Sequence, residues 1–368
     1  MNTSRAQLSS ANWDSVHQSV KHELTVFNKK AELFFQFIPF PIYSYAQETG
    51  HVYGLVKYNM VDLVEGDSVS AASNFTVLAS LSSKGQSKVI LSSRSYFKEN
   101  KWIWNAESGF IDFPEHLFGI GNEINSEKEE TVQTTTVNFV NSILMSKDDY
   151  KRFYIGVSQA FNAYYSVKTD SVSFITENQV PGYQGGAISG LGPALIWDTR
   201  DHRYNSMKGT FVEVDFKYFT SLIGSDFEYA SFKIDFRKFI RPWYQHVIAF
   251  QGVTSANIGE VPFYALSQIG GISRMRGYFK GAIRDKVLFD SQVEYRIPVW
   301  KIFGAVAFAS AGRVAPNYAS MALSDLWYGG GLGLRVLVDS KNKANLRLDY
   351  GWGQGNSSAF IIGFTEAF

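Results

Sequence analysis

The chain has 368 residues, a formal net charge of +1 and no cysteine. The near-neutral charge disfavours a dedicated nucleic-acid-binding protein, which should carry a basic surplus. The lack of cysteine excludes disulfide scaffolds, thiolate metal sites and thiol nucleophiles. Aromatic residues make up 16% of the chain although its mean hydropathy is only −0.12, and no run of about 18 apolar residues could form a transmembrane helix. These values leave a soluble β-rich protein or a transmembrane β-barrel, and the aromatic excess favours the barrel.

The chain divides into two parts by composition. Residues 1–36 are polar and of mixed charge, and we expect them to form a periplasmic lead-in that is too short to be a domain. Residues 37–368 consist of segments with alternating polarity, which predicts β-strands. We therefore expect one β-barrel domain over residues 37–368.

The alternation is clearest in the second half of the chain. Phe232, Ile234 and Phe236 form one apolar face, and the residues between them are charged. Strands of a soluble sandwich average about 5–6 residues, whereas these segments reach the roughly 9–11 residues that a tilted bilayer crossing requires. The pattern favours an all-β transmembrane antiparallel barrel whose charged face lines the lumen.

Counting the segments predicts the size of the barrel. The predicted strands lie near residues 38–47, 51–63, 70–83, 86–98, 101–112, 132–146, 150–166, 188–200, 209–222, 227–241, 243–257, 285–300, 302–315, 327–339, 344–353 and 359–368. This gives sixteen strands. Fourteen is the alternative, because the boundaries near 110–132 and 166–188 are poorly marked.

A long basic segment with regularly placed glycines interrupts the strands from Ile258 to Arg284. Within it, the run GGISRMRGYF resembles the glycine-rich loop of the bacterial surface-antigen barrel family, which includes BamA-like and TamA-like insertases and two-partner-secretion transporters. Six other stretches also resemble family motifs and occur along the chain in the family's order. They are FPIYSYAQETGHVYG, LGPALIWDTRDHRYNSMKGTFVEVDF, VEYRIPVW, WYGGGLGLRV, LRLDYGWG and IIGFTEAF. The resemblance spans residues 37–368 and is strongest after residue 188. It implies a sixteen-stranded barrel of the bacterial outer membrane, with the long loop folded into the lumen.

The resemblance also implies a loop lock, by which we mean the contacts that hold the tip of this loop against the barrel wall. The tip would be Arg276, Gly277 and Tyr278, and the acid on the inner wall would be Glu294. An arginine removed from bulk water needs a carboxylate, and its planar guanidinium suits bidentate pairing. The alternative is a salt bridge with no role beyond folding.

The sequence departs from the family pattern at two points that concern this lock and the domain organisation. Ser310 replaces an aspartate that most members carry on the strand after Glu294, so we expect a weaker lock in which Glu294 acts alone or with Asp235. About 36 residues precede the first predicted strand. We therefore expect a member without the periplasmic docking (POTRA) domains that are usual in the family.

The seam, where the first and last strands of the barrel meet, is the second candidate site. Pro39 and Pro41 remove ladder donors from the first strand, on which Tyr45 also lies, and Gly363 weakens the last strand. Phe368 ends that strand and is expected on its outward face. A loose seam would permit lateral opening into the bilayer. The alternative is that these residues are ordinary, because a proline at a strand start and a single strand glycine are widely tolerated.

The last strand also carries Glu366 where the family has a hydrophobic residue.

The remaining motifs indicate no enzyme, no catalytic residues, no metal and no cofactor. Asp198, Asp201 and His202 are more typical of a turn than of a metal site, and no nucleophile elbow is present. We expect a barrel that assists insertion or translocation of proteins or other cargo through the seam. The alternatives are an accessory subunit of a larger outer-membrane complex and, less favoured, a passive pore.

Expected partners are outer-membrane lipid and lipopolysaccharide, client or partner envelope proteins, and a separate periplasmic protein or lipoprotein.

Overall fold

The structure is a computed structural model that describes residues 39–46, 50–67, 69–123, 130–169, 173–340, 342–355 and 357–368. The predicted periplasmic lead-in, residues 1–36, lies outside the described residues. No helix in the described ranges is both long enough and apolar enough to cross a membrane.

The described chain forms one antiparallel sheet of sixteen strands, in which each strand pairs with its neighbours in sequence order. Its strands are β1 (Phe40–Ala46), β2 (Gly50–Val61), β3 (Ser73–Ser82), β4 (Ser87–Phe97), β5 (Trp102–Leu117), β6 (Glu130–Ser146), β7 (Phe153–Lys168), β8 (Gly186–Asp198), β9 (Gly209–Phe219), β10 (Tyr229–Ile240), β11 (Val247–Gly259), β14 (Val287–Trp300), β15 (Phe303–Ala315), β16 (Trp327–Asp339), β17 (Ala344–Gly353) and β18 (Ser358–Phe364). The prediction of sixteen strands is confirmed.

Short elements lie in the connections. A two-residue ribbon, β12 (Ser267–Gln268) with β13 (Arg284–Asp285), joins the ends of the segment between β11 and β14. One short helix, α1 (Phe174–Glu177), precedes β8, and 3-10 turns lie at Ser221–Ile223, Phe263–Ala265 and Tyr318–Ser320.

Three predicted strand boundaries were wrong for local reasons, at the end of β5, the start of β11 and the end of β18. β5 continues to Leu117 instead of ending near residue 112, because the ladder with β6 runs through Pro114. β11 begins at Val247 instead of residue 243, because the chain turns at Tyr244, which has a φ of 42°.

Alternation along the strands separates a lipid-facing surface from a charged lumen. On β9, Phe216 and Tyr218 are exposed, whereas Glu213 and Asp215 line an interior cavity of about 470 Å³. Glu107 on β5 borders the same cavity, although β5 and β9 are not adjacent in the sheet. The charged face of the strands therefore lines the lumen, as the alternation predicts.

The two ends of the barrel differ in the length of their connections. The end of the barrel where β1 starts and β18 finishes carries short turns such as 98–101, 301–302 and 340–343. The opposite end carries longer loops such as 169–185 and 260–286. Outer-membrane barrels have short periplasmic turns and longer extracellular loops. The end that holds both the start of β1 and the end of β18 is therefore periplasmic.

Apolar side chains pack together at the extracellular end. Phe263 and Ile175, from two different loops, are fully buried together with Leu117 and Ile188 from the wall. A second cluster packs Ile269 against residues of β14 and β15. These clusters fix the segment between β11 and β14, residues 260–286, which we call the inward loop.

Candidate functional site: the inward loop and the seam

The inward loop approaches the wall where β16 and β17 carry glycines. Gly277 at its tip has a φ of 114°, a conformation that disfavours other residues, and a Cβ there would lie 2.8 Å from the backbone of Trp352. A Cβ at Gly351 would lie 2.6 Å from the carbonyl oxygen of Arg276. Small residues on both surfaces therefore let two backbones pack directly against each other.

Arg276 lies at the centre of this contact and is fully buried. Its guanidinium binds Glu294 on β14 and donates to Asp349 on β17 at 2.6 Å. A weaker hydrogen bond of 3.4 Å reaches Gln292, and the guanidinium carbon lies 3.6 Å from the centre of the Phe308 ring. Two carboxylates and an aromatic face thus compensate for the loss of water around the arginine.

Asp349, which we did not predict, is the second carboxylate that binds Arg276. The expectation that Glu294 acts alone or with Asp235 is wrong, because Asp235 instead binds Arg237 at 2.7 Å. The hydroxyl of Ser310 donates to the carbonyl of Gly329 at 3.4 Å and not to a partner of Arg276. The alternation in LRLDYGWG places Asp349 on the lumen face, and this signal could have identified it.

Tyr278 fixes the end of the tip. Its hydroxyl donates to the carbonyl of Tyr328 and accepts the N–H of Gln354 at 2.8 Å. Its ring meets Trp327 edge to face, with 5.8 Å between the ring centres. Burial raises the pKa of the Tyr278 hydroxyl, and the N–H of Gln354 opposes that rise only in part.

Beyond the tip, the ionic contacts extend to the end of the chain. Arg335 bridges Asp349 at 2.6 Å and Glu366 at 2.8 Å, and Arg296 bridges Glu294 at 2.9 Å while lying 3.7 Å from Glu366. Glu366 therefore points into the lumen and belongs to the same network as Arg276. Its departure from the hydrophobic family pattern is explained by this inward direction.

Phe368 was wrongly predicted on the outward face of the last strand. β18 ends at Phe364, and Thr365, with a φ of 64°, turns the following residues inward. Phe368 is buried, with its ring centre 6.1 Å from that of Phe239 on β10. Its main-chain oxygen accepts a hydrogen bond of 3.1 Å from Arg296. The residue therefore lies inside the barrel and not at the seam.

The seam is formed by the two ends of the sheet. β1 and β18 each contain seven residues and stand at the two ends of the strand order. Aromatic rings bring these ends together. Phe364 stacks on Tyr58 with 5.4 Å between the ring centres and meets Phe40 edge to face at 6.3 Å.

The other seam residues predicted from sequence lie on the same strands. Pro41 is opposite Leu55, Tyr45 is opposite His51, and Pro39 directly precedes β1. Gly363 is opposite Arg347, and a Cβ there would lie 2.9 Å from a guanidinium nitrogen of that arginine. Gly363 therefore makes space for a lumen arginine.

The structure also accounts for the acidic turn after β8. Asp198 binds Arg200 at 2.8 Å. Across the described ranges, no group of three or more histidine, aspartate and glutamate side chains is arranged to hold a metal ion.

Comparison with known proteins agrees with this architecture. Residues 70–368 match the Omp85 superfamily domain. No curated protein matches the chain. The fold is similar to that of BamA from Haemophilus ducreyi lacking POTRA domains 1–3, with 13% identity and a TM-score of 0.51 over 93% of this chain and 77% of that one. It is also similar to CdiB from Acinetobacter baumannii, with 12% identity and a TM-score of 0.52 over 88% of this chain and 57% of CdiB. The chain belongs to the Omp85 superfamily and is a sixteen-stranded β-barrel of the bacterial outer membrane.

Proposed function

We propose that this barrel, whose family and fold support a general role in outer-membrane insertion or transport, works through the seam between β1 and β18. The observation that carries the proposal is the way the sheet ends, with two seven-residue strands held by the rings of Phe40, Tyr58 and Phe364. An unpaired strand edge can template an incoming strand by adding it to the sheet. A client segment would thus pair with β1 or β18 and enter the bilayer as a strand.

Energetics favour opening at this position over any other. A ring pair contributes about 0.5–1.5 kcal/mol beyond its buried area. By contrast, β5 and β6 are paired over sixteen residues from Trp102–Met145 to Leu117–Glu130, and each ladder hydrogen bond contributes about 0.5–1.5 kcal/mol. Separation at the seam, between two strands of seven residues, should therefore cost less than separation of the longer ladders within the sheet.

The inward loop would act as an internal strut in this mechanism. Arg276 joins β14 to β17 through Glu294 and Asp349, and Ser357 donates to the carbonyl of Gly277 at 2.6 Å. These contacts hold β17, the strand that pairs with β18. Opening would then be confined to the seam.

Site-specific photo-crosslinking in the native host tests the proposal. A photoreactive residue at Tyr45, in β1, should form adducts with several different outer-membrane clients. The matched control is Tyr218, an exposed tyrosine on β9 far from the seam, which should form none of these adducts. A single stoichiometric adduct at Tyr45 would instead indicate an accessory subunit. Identical adducts from both positions would contradict the seam mechanism.

The proposed partners follow from this mechanism. They are outer-membrane lipid and lipopolysaccharide around the wall, client or partner envelope proteins at the seam, and a periplasmic protein or lipoprotein that delivers the clients. No catalytic step, metal or cofactor is required for strand addition, so we propose a non-enzymatic role.

A further inference from the structure

A second cavity, separate from the seam, opens at the periplasmic end of β14, β15 and β16. Its volume is about 440 Å³, and we call it the basic cavity because its walls carry five basic side chains and one acidic side chain among the described residues. The basic residues are Arg241, Arg296, Lys301, Arg335 and Lys343, and the acidic residue is Glu366.

Two arginines line the basic cavity with unused hydrogen-bond donors. Arg335 is 4% exposed and Arg296 is 6% exposed, and both face the Glu366 carboxylate. The Nη2 atom of Arg335 and the Nη1 atom of Arg296 have no hydrogen-bond partner in the described chain. A buried donor without a partner is unfavourable, and more so when it is charged. Arg335 also pairs with Asp349 and Arg296 with Glu294, and one nitrogen of each guanidinium still has no acceptor.

The other three cations surround the opening of the cavity. Arg241, Lys301 and Lys343 are exposed and come from three different periplasmic turns. None of them forms an ion pair with a described carboxylate. Their convergence creates a local positive potential that one glutamate does not neutralise.

Aromatic residues place this opening at the membrane surface. Trp300 stacks on Phe303 with 6.2 Å between the ring centres, and both side chains are exposed. The ammonium of Lys301 lies 4.3 Å from the centre of the Trp300 ring. Exposed aromatic residues of this kind mark the interface of outer-membrane barrels with the lipid headgroups.

We propose that the basic cavity binds a phosphate group. Arginine forks bind phosphate oxygens in pairs, and a phosphate offers more acceptors and more charge than Glu366, the one acidic residue among the described residues that line the cavity. The position at the interface favours the headgroup of a phospholipid in the periplasmic leaflet, and a free phosphate shares the same chemistry. Glu366 acts as an internal competitor for the two arginines. This site does not depend on the seam mechanism.

Native mass spectrometry of the whole protein in an uncharged detergent tests the site. The probes are phosphatidylglycerol, glycerol phosphate and inorganic phosphate at one fixed ionic strength. The triple variant Lys301→Gln, Lys343→Gln and Arg241→Gln should weaken binding about tenfold or more, because charge-assisted contacts are lost. The matched control replaces three exposed lysines on other periplasmic turns by glutamine, namely Lys98, Lys101 and Lys147, and should bind like the wild type.

A second variant separates binding from structure. Glu366→Gln removes the competing charge, so the affinity of the basic cavity for phosphate should rise. If the arginines of the cavity served only to stabilise the fold, the affinity for phosphate would not rise. Binding of phosphatidylglycerol alone would support the site and identify its source as lipid. Binding of the soluble phosphates as well would support a site open to free phosphate. No binding of any probe, or equal losses in the triple variant and its control, would overturn the proposal.

Discussion

At the scale of single residues, Arg276 determines how the inward loop is held. It is fully buried and bound by Glu294 and Asp349. Removing one partner of a buried ion pair is costly, because the remaining charge is left in a medium that solvates it poorly. The lock therefore depends on keeping all three side chains together.

The first prediction concerns the charge of Arg276. Arg276→Met should lower the free energy of unfolding by about 3–5 kcal/mol, because two buried carboxylates lose their shared partner. Urea unfolding of the detergent-solubilised protein measures this change. Lys280→Met removes the same charge from an exposed position of the same loop, and its effect should stay within about 0.5 kcal/mol. Equal effects of the two substitutions would show that Arg276 is an ordinary loop residue.

The second prediction concerns the glycine contact. Gly351→Ala should destabilise the fold by about 1–3 kcal/mol, because the added methyl group would lie 2.6 Å from the Arg276 carbonyl. The midpoint of heat unfolding on unboiled gels measures this effect. Gly252→Ala, whose Cβ would lie 3.6 Å from its nearest neighbour, should leave the midpoint unchanged or raise it slightly. An unchanged midpoint in Gly351→Ala would contradict the direct packing of the loop on the wall.

At the scale of elements, alternation predicted the strands because every crossing of the bilayer requires one lipid-facing side. The same local pattern carries no information on contacts across the lumen. The partner of Arg276 on β14 therefore came only from the family resemblance, and Asp349 on β17 was missed. The inward turn at Thr365 was also missed. Phe364 and Phe368 fit the alternating apolar pattern of the strand, although β18 ends at Phe364.

The third prediction concerns the strength of the seam strands. Backbone amides of β1 and β18 should exchange hydrogen faster than those of the longer strands β9 and β10. Phe364→Ala should accelerate the exchange about tenfold further, since it removes both ring contacts. Phe250→Ala removes a comparable exposed ring, 6.3 Å from Phe236, and should not affect β1 or β18. Uniform exchange across all strands would refute a weak seam.

At the scale of the whole molecule, loop residues pack across the extracellular end and an ionic network occupies the lumen. The apolar clusters around Phe263 and Ile269 cover the extracellular end, and the tip of the inward loop packs on β16 and β17. This arrangement opposes the free passage of solutes. It therefore disfavours the passive pore.

The fourth prediction follows from this packing. In planar bilayers the wild type should show low conductance, and replacing residues 271–280 by two glycines should raise it, since the tip no longer fills the lumen. Replacing the exposed residues 222–224 in another extracellular loop should not raise it. Equal conductance in the wild type and the tip deletion would restore the pore hypothesis.

The most direct test of the central claim is to lock the seam chemically. Phe40→Cys with Phe364→Cys can be bridged by a short thiol cross-linker, and the chain has no other cysteine. The control pair is Leu332→Cys with Tyr350→Cys, two exposed neighbours on the paired strands β16 and β17. The measurement is the rate at which liposomes containing each protein insert a urea-unfolded eight-stranded outer-membrane barrel. We predict that bridging the seam abolishes the acceleration, whereas bridging the control pair preserves it. An unchanged insertion rate with the seam bridged would contradict the account.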